Sequence, residues 1–317
     1  MRIRMGTGAI ALAMAMLAAP SGAADKADGK GGAAESAKPA KLSPKAEQFL
    51  ASLHPQNGDV KVPAAKAVLH LGERYYFLPA EDAKRVLTDV WRNPPDSVSN
   101  VLGMVMEKNA NAFDNLWGAV ITYQDSGHVS DKDADTQDYD KVLADMKAGD
   151  AADNEQRKAQ GFPAITLVGW AQPPSYDKAS HSLIWARELA EEGNADHGLN
   201  YDVRLLGRTG VLSLNMVSAM SALPDVRAAA ADFGKAASFE PGAGYTDFNS
   251  STDKAAEYGL AGLVAGGVGL AVVKKVGLLA IILKFGKVIL LGIAAGGAAV
   301  WSFFKRLVGR REEQDVI

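Results

Sequence analysis

Two apolar stretches near the C-terminus constrain the fold of this chain more than any other feature. Residues 255–273 carry a single charge, Glu257, and residues 288–304 carry none, while Lys274, Lys275, Lys284 and Lys287 lie between them. At about 1.5 Å per residue a helix through either stretch reaches roughly 25–29 Å, close to the hydrocarbon thickness of a bilayer. The lysines can extend their ammonium groups to the interface. Each stretch also holds a Gly-x-x-x-Gly pair, Gly262/Gly266 and Gly292/Gly296, the spacing that lets membrane helices approach closely. The reading is a C-terminal transmembrane helical hairpin within an anchor over residues 251–317, with the 274–287 connection in the cytoplasm; the alternative for the first stretch is an interfacial or core helix, which leaves a single span. A single helix over 276–304 would instead bury Lys284 and Lys287, at about 2.5–3.5 kcal/mol each on insertion scales.

The other end agrees with export. Met1-Arg2-Ile3-Arg4 precedes an apolar run over 9–19 and then Pro20-Ser21-Gly22-Ala23, the order of a secretory signal peptide over residues 1–23. Residues 24–46 contain scarcely a large apolar side chain and read as a flexible leader, since nothing there offsets the entropy of ordering. Charge is partitioned as well. Residues 24–253 hold 23 basic and 33 acidic groups, whereas 254–317 hold 9 and 4. An acidic body on a basic, apolar tail argues against nucleic acid as a partner. The chain has no cysteine, which removes disulfides, thiolate nucleophiles and Cys-type metal centres.

Between the ends, residues 47–250 read as one periplasmic α+β domain with a mainly antiparallel sheet and flanking helices. Residues 67–79 form two extended runs about Gly72-Glu73. Ala83, Val86, Leu87 and Val90 share a helical face that Asn93-Pro94-Pro95 ends. Residues 101–107 and 117–124 look like a strand pair, and residues 201–206 and 211–217 flank the turn residues Gly207-Arg208-Thr209-Gly210. Asp131, Asp133 and Asp135 alternate as in a calcium loop, but Thr136 stands where that loop needs glycine and Val142 where it needs a bidentate Glu. Ser130 and Asp133 instead read as the capping box of a helix running to about Lys158. Residues 182–189 suit a strand, a helix spans 224–233, and residues 237–253 read as a linker to the membrane.

No metal-binding histidine pair, nucleophile elbow or phosphate loop occurs in the sequence, and no cofactor is expected. His181 and His197 are the histidines available as bases for a serine hydrolase assembled in space. The densest aromatic and polar cluster holds Trp170, Tyr176, His181, Trp185, Arg187 and Arg204. It reads either as a groove with aromatic walls and a cationic floor, for a peptide, glycan or lipid headgroup, or as core.

Gly72-Glu73-Arg74-Tyr75, Trp91-Arg92-Asn93-Pro94-Pro95, Gly169-Trp170-Ala171-Gln172-Pro173-Pro174 and His181-Ser182-Leu183-Ile184-Trp185-Ala186 occur in that order. Asn200-Tyr201-Asp202, Leu206-Gly207-Arg208 and Gly244-Tyr245-Thr246-Asp247-Phe248 follow. Together they resemble an uncharacterised bacterial family of membrane-anchored proteins of unknown function, over roughly residues 65–305. The resemblance implies an exported domain tethered to the inner membrane and brings no catalytic residue with it. The expectation is a non-enzymatic envelope protein whose periplasmic domain binds an unidentified envelope protein or glycan, with membrane lipid around its C-terminal helices. A membrane-tethered hydrolase of an envelope polymer or peptide, and an accessory subunit of an inner-membrane complex, are the alternatives. N-terminal sequencing of the membrane-purified protein should return a start near Ala24; recovery of Met1 would refute export by cleavage.

Overall fold

The computed structural model describes residues 42–114 and 116–266, without the side chains of residues 234 and 235. The signal peptide, nearly all of the leader, the end of the first apolar stretch and all of the second lie outside the described residues.

The fold is α+β and mainly antiparallel. Its main sheet has seven strands in the order β3-β4-β5-β10-β9-β8-β7, comprising β3 (Tyr75–Pro79), β4 (Val101–Glu107), β5 (Gly118–Gln124), β7 (Ile165–Asp177), β8 (Ser182–Glu191), β9 (Gly198–Leu206) and β10 (Val211–Ala219). Every pairing in it is antiparallel. Two meanders therefore meet, β3-β4-β5 and β7-β8-β9-β10, and the last strand of the second lies beside the last strand of the first. A smaller sheet joins β1 (Asp59–Val62), β2 (Ala67–His70) and β11 (Ala237–Phe239). The two extended runs about Gly72-Glu73 are thus β2 and β3, and they enter different sheets. Pro173 and Pro174 sit inside β7 instead of ending it. As the outermost strand, β7 can lose the two N–H donors without breaking a ladder on its free side, and its register with β8 shifts there.

Both faces of the main sheet are covered. On one, α4 (Leu223–Ala236) buries Val226, Ala229, Ala230 and Phe233 against Leu199, Tyr201, Leu212 and Leu214. Those four helix positions follow the i, i+3, i+4, i+7 spacing of one apolar stripe. Phe233 meets Tyr75 at 4.9 Å and Trp117 edge-on at 5.6 Å between ring centroids. On the opposite face, α2 (Ala80–Arg85) continues through a π turn at Val86–Val90 and packs Val86, Leu87, Val90 and Trp91 on Met104, Val120 and Val217. Phe49 and Leu50 of α1 (Pro44–Ala51) add to that cover.

The far end of this second face is closed by residues that hydropathy assigns to a membrane span. Ala255–Gly259 is strand β12, parallel to β6 (His128–Ser130). It leads into the short helix α5 (Leu260–Val264), whose Leu260, Leu263 and Val264 are buried with Val129, Leu183, Leu206 and Val211. An uncharged run satisfies a protein core as well as a bilayer, so apolarity alone does not separate them. Among the described residues no helix is long and apolar enough to cross a membrane. The approach of β12 requires Gly127: its φ is +88°, and a Cβ there would lie 2.6 Å from the Lys254 carbonyl oxygen.

The acidic stretch before α3 (Tyr139–Ala159) also differs from expectation. Asp138, not Ser130, caps this helix, by accepting from the Lys141 N–H at 2.9 Å. Asp133 accepts instead from the Leu260 N–H and from Gln137 Nε2. Its carboxylate is spent tying α5 to the loop rather than opening α3. The folded body thus continues past residue 250. A chain ended after Ser250 should aggregate or melt well below one ended after Gly266. In the latter, Leu260→Ala should cost about 2–5 kcal/mol by denaturant titration, and Gly127→Ala about 1–3 kcal/mol from its positive φ.

Candidate functional site

The register of β8, β9 and β10 places a polar patch in the middle of the second face, between the cover of α2 and that of β12 and α5. Trp185, Asp202 and Asn215 lie in one cross-strand row, Arg187 and Asn200 in the row on one side, and Leu183, Arg204 and Ser213 in the row on the other. Alternation along each strand brings all of them to the same side of the sheet. Asp202 is fully buried and accepts from both arginines, Oδ2 from Arg187 Nη2 at 3.2 Å and Oδ1 from Arg204 Nη2 at 2.7 Å. The Arg204 guanidinium also lies 5.2 Å from the centre of the Trp185 ring. Arg187 is 7% exposed, Asn200 2% and Asn215 9%. Two guanidiniums against one carboxylate leave one net positive charge in a mostly desolvated place.

These groups are not satisfied by each other. Arg187 Nε, Arg204 Nε, Trp185 Nε1, Asn200 Nδ2 and Asn215 Nδ2 are buried and have no acceptor among the described residues. Guanidinium and indole N–H groups can only donate. An unmet buried donor costs about 1–3 kcal/mol, and buried polar groups in folded proteins are otherwise almost always paired. Five such donors on three adjacent strands form an array suited to an acceptor-rich species.

The sequence-derived groove divides into three parts. Trp185, Arg187 and Arg204 belong to this patch, with Trp185 1% exposed, so it is core beneath the arginine and not the wall of an open groove. Trp170 is drawn toward α3 and donates from Nε1 to the Tyr139 carbonyl at 3.3 Å. Tyr176 and His181 enter a separate aromatic cluster. The Tyr176 hydroxyl donates to Asp131 Oδ2 at 2.8 Å and lies 3.1 Å from His181 Nδ1. Burial, reinforced by that carboxylate, holds the phenol well above its usual range. His181 has φ +49°, at the end of the β7–β8 turn that Asp177 braces by accepting from the Ala179 N–H at 2.9 Å. His197 is hydrogen-bonded to Glu188.

Tyr245 knits this second cluster together. Its ring stacks on His181 at 4.2 Å and on His128 at 4.3 Å, and its hydroxyl donates to the Val129 carbonyl at 3.1 Å. Phe248 covers the other side of His128 at 3.9 Å with a 10° interplanar angle. Arg208, in the β9–β10 turn, forks onto Asp253 at 2.8 and 3.0 Å and holds that carboxyl far below its ordinary range. The cluster is a clasp between the sheet and the segment that leads into β12. It joins groups by stacking and hydrogen bonds.

Sequence reading missed Asn200, Asp202, Ser213 and Asn215. Their signal was present: polar side chains two residues apart, Asn200-x-Asp202-x-Arg204 and Ser213-x-Asn215, inside strands whose other positions, Ser218 apart, are apolar. A period of two marks one face, and the same face is reached from both strands once they are paired.

Residues 54–297 match a family of proteins of unknown function, DUF2167. The chain belongs to this family. The match covers the main sheet, the polar patch and the clasp. No curated protein matches the chain. Among solved structures, the solution structure of cyanobacterial PsbP (CyanoP) from Synechocystis sp. PCC 6803 is similar at 9% identity, with a TM-score of 0.34. That likeness covers 60% of this chain and 94% of that one.

The clasp should respond to acid. Burial lowers the His128 pKa from the ordinary imidazole value, partly countered by Asp131 and the Gly207 backbone, while His181 and Asp253 also face it. The folded state therefore refuses a proton that the unfolded chain accepts below about pH 6.5. Stability from this group is complete above that pH and is lost as pH falls through the interval below it. Thermal melts from pH 7 to 5 should show a steeper loss for the native protein than for His128→Gln; parallel curves would refute the assignment.

Proposed function

We propose that this protein is a non-enzymatic envelope binding module, exported to the periplasm and held at the inner membrane by its C-terminal segment, where it contacts lipid. The polar patch on β8, β9 and β10 is its recognition site for an envelope protein or glycan. One observation carries this reading: the buried Arg187 and the part-buried Arg204 clamped on Asp202, with their Nε groups and three neighbouring donors still unspent. Groups fixed on central strands recognise a ligand without first being ordered, which lowers the entropic cost of binding.

The same arrangement favours binding over catalysis. Both Asp202 oxygens accept from guanidiniums, so the carboxylate is committed to positioning them and not to abstracting a proton. The basic start and apolar run of residues 1–23 and the basic, apolar tail support the location. A photoreactive residue in place of Thr122, which pairs with Ser213 on the same face, tests the reading in native membranes. It should give a discrete adduct that falls at least tenfold when Arg187→Gln is added. Adduct formation unaffected by that substitution, or turnover of an envelope polymer by the purified protein, would refute it.

A further inference from the structure

Resting on that reading of the same site, we propose that the patch binds a carboxylate, the end of a peptide or a small organic acid, as the second anion between Arg187 and Arg204. The charge balance selects it. Two guanidiniums and Asp202 leave one positive charge where the side chains of Arg187, Arg204 and Asp202 are 9%, 17% and 0% exposed. A monoanion brings that place to neutrality, a phosphate dianion leaves it negative beside Asp202, and an uncharged glycan leaves the positive charge unmatched. A buried net charge is the costly outcome in both of the other cases.

The donor set fits as well. A carboxylate offers two oxygens with about four lone-pair directions, and the patch holds five unpaired buried donors, of which the two arginine Nε groups and the Trp185 indole cannot serve as acceptors under any rotamer. The Trp185 ring beneath Arg204 at 5.2 Å fixes the plane of that guanidinium. The Asp202 bridge occupies one nitrogen of each arginine and keeps the pair from turning toward solvent. Asp202 thereby plays the positioning part, and the incoming carboxylate meets the Nε–H donors that the bridge leaves free. The acidic body, net −10 over residues 24–253, disfavours dianions further.

The test uses the detergent-solubilised full chain at constant ionic strength and near-neutral pH. Sodium acetate, the tripeptide Ala-Ala-Ala, its C-terminal amide and inorganic phosphate are each titrated while tryptophan emission and the melting temperature are followed. Acetate and the tripeptide should give saturable changes, the amide none, and phosphate a response at least tenfold weaker. A tripeptide at least tenfold tighter than acetate identifies a chain end as the source; equal affinities identify a free acid. Trp185→Phe keeps a ring under Arg204 and deletes one donor, and Asn215→Leu deletes another at similar volume. Each should weaken carboxylate binding about tenfold while the protein still melts cooperatively, and if one fails to fold the other carries the comparison. No saturable response to acetate or the tripeptide, or phosphate binding as tightly as either, overturns the proposal. If the cross-linker at position 122 still captures its Arg187-dependent adduct in that event, the carboxylate assignment alone falls. If that adduct is absent too, the binding-module reading falls with it.

Discussion

The pairing of β10 with β5 is the contact on which the rest of the molecule depends. It joins two meanders, each of which needs only local turns, through strands about ninety residues apart in the chain. Such a contact must offset the entropy of closing a long loop before it is rewarded. The reward is visible in β10, where all nine residues are buried. A strand in that position has no solvent face, so both sides of the sheet must be covered. α4 and the small sheet cover one side. The other side is shared between α2 and the segment β12–α5, and the polar patch lies where those two covers meet.

Because β12 and α5 complete the second face, the chain that approaches the tail is part of the domain and not a tether hung from it. Arg208 on Asp253, Tyr245 between the two histidine rings, and the close passage of Gly127 past Lys254 hold this segment from three directions. Neither the aromatic stack nor the ion pair would be worth much alone at a half-exposed surface. Their effect comes from acting on one short strand whose apolar continuation is buried.

Much of this was legible where local chemistry decides structure. The β9–β10 hairpin follows from Gly207 and Gly210 between alternating runs, the β4–β5 pair from β-branched and aromatic content, and α2 from its apolar face and the prolines after it. Less was legible where tertiary context decides. Residues 255–264 are as apolar as a membrane span because the core they enter is equally dry. The capping acid of α3 moved from Ser130 and Asp133 to Asp138 because Asp133 was needed by Leu260, 127 residues away. Of the site, Trp185, Arg187 and Arg204 were found by aromatic and charge density. Asp202 and the two asparagines were not, since only strand register shows that they share a face with the arginines.

The patch itself is not explained by stability. Further along the same face, Met104, Val120 and Val217 pack under Trp91, so the fold has the means to cover this surface with hydrocarbon. Exchanging a buried ion triad for well-packed apolar side chains is commonly neutral or stabilising by about 1–4 kcal/mol, whereas losing one partner of such a triad costs about 3–5 kcal/mol. The arrangement of Arg187, Asp202 and Arg204 therefore exposes the protein to large losses on single substitutions while returning little to its folding. Unspent donors on both arginines increase that disadvantage, because a triad serving only as a structural clamp would be expected to satisfy its own nitrogens. Folding stability alone therefore does not account for this triad, held at such a cost on interior strands of the sheet and opposite a completed apolar core.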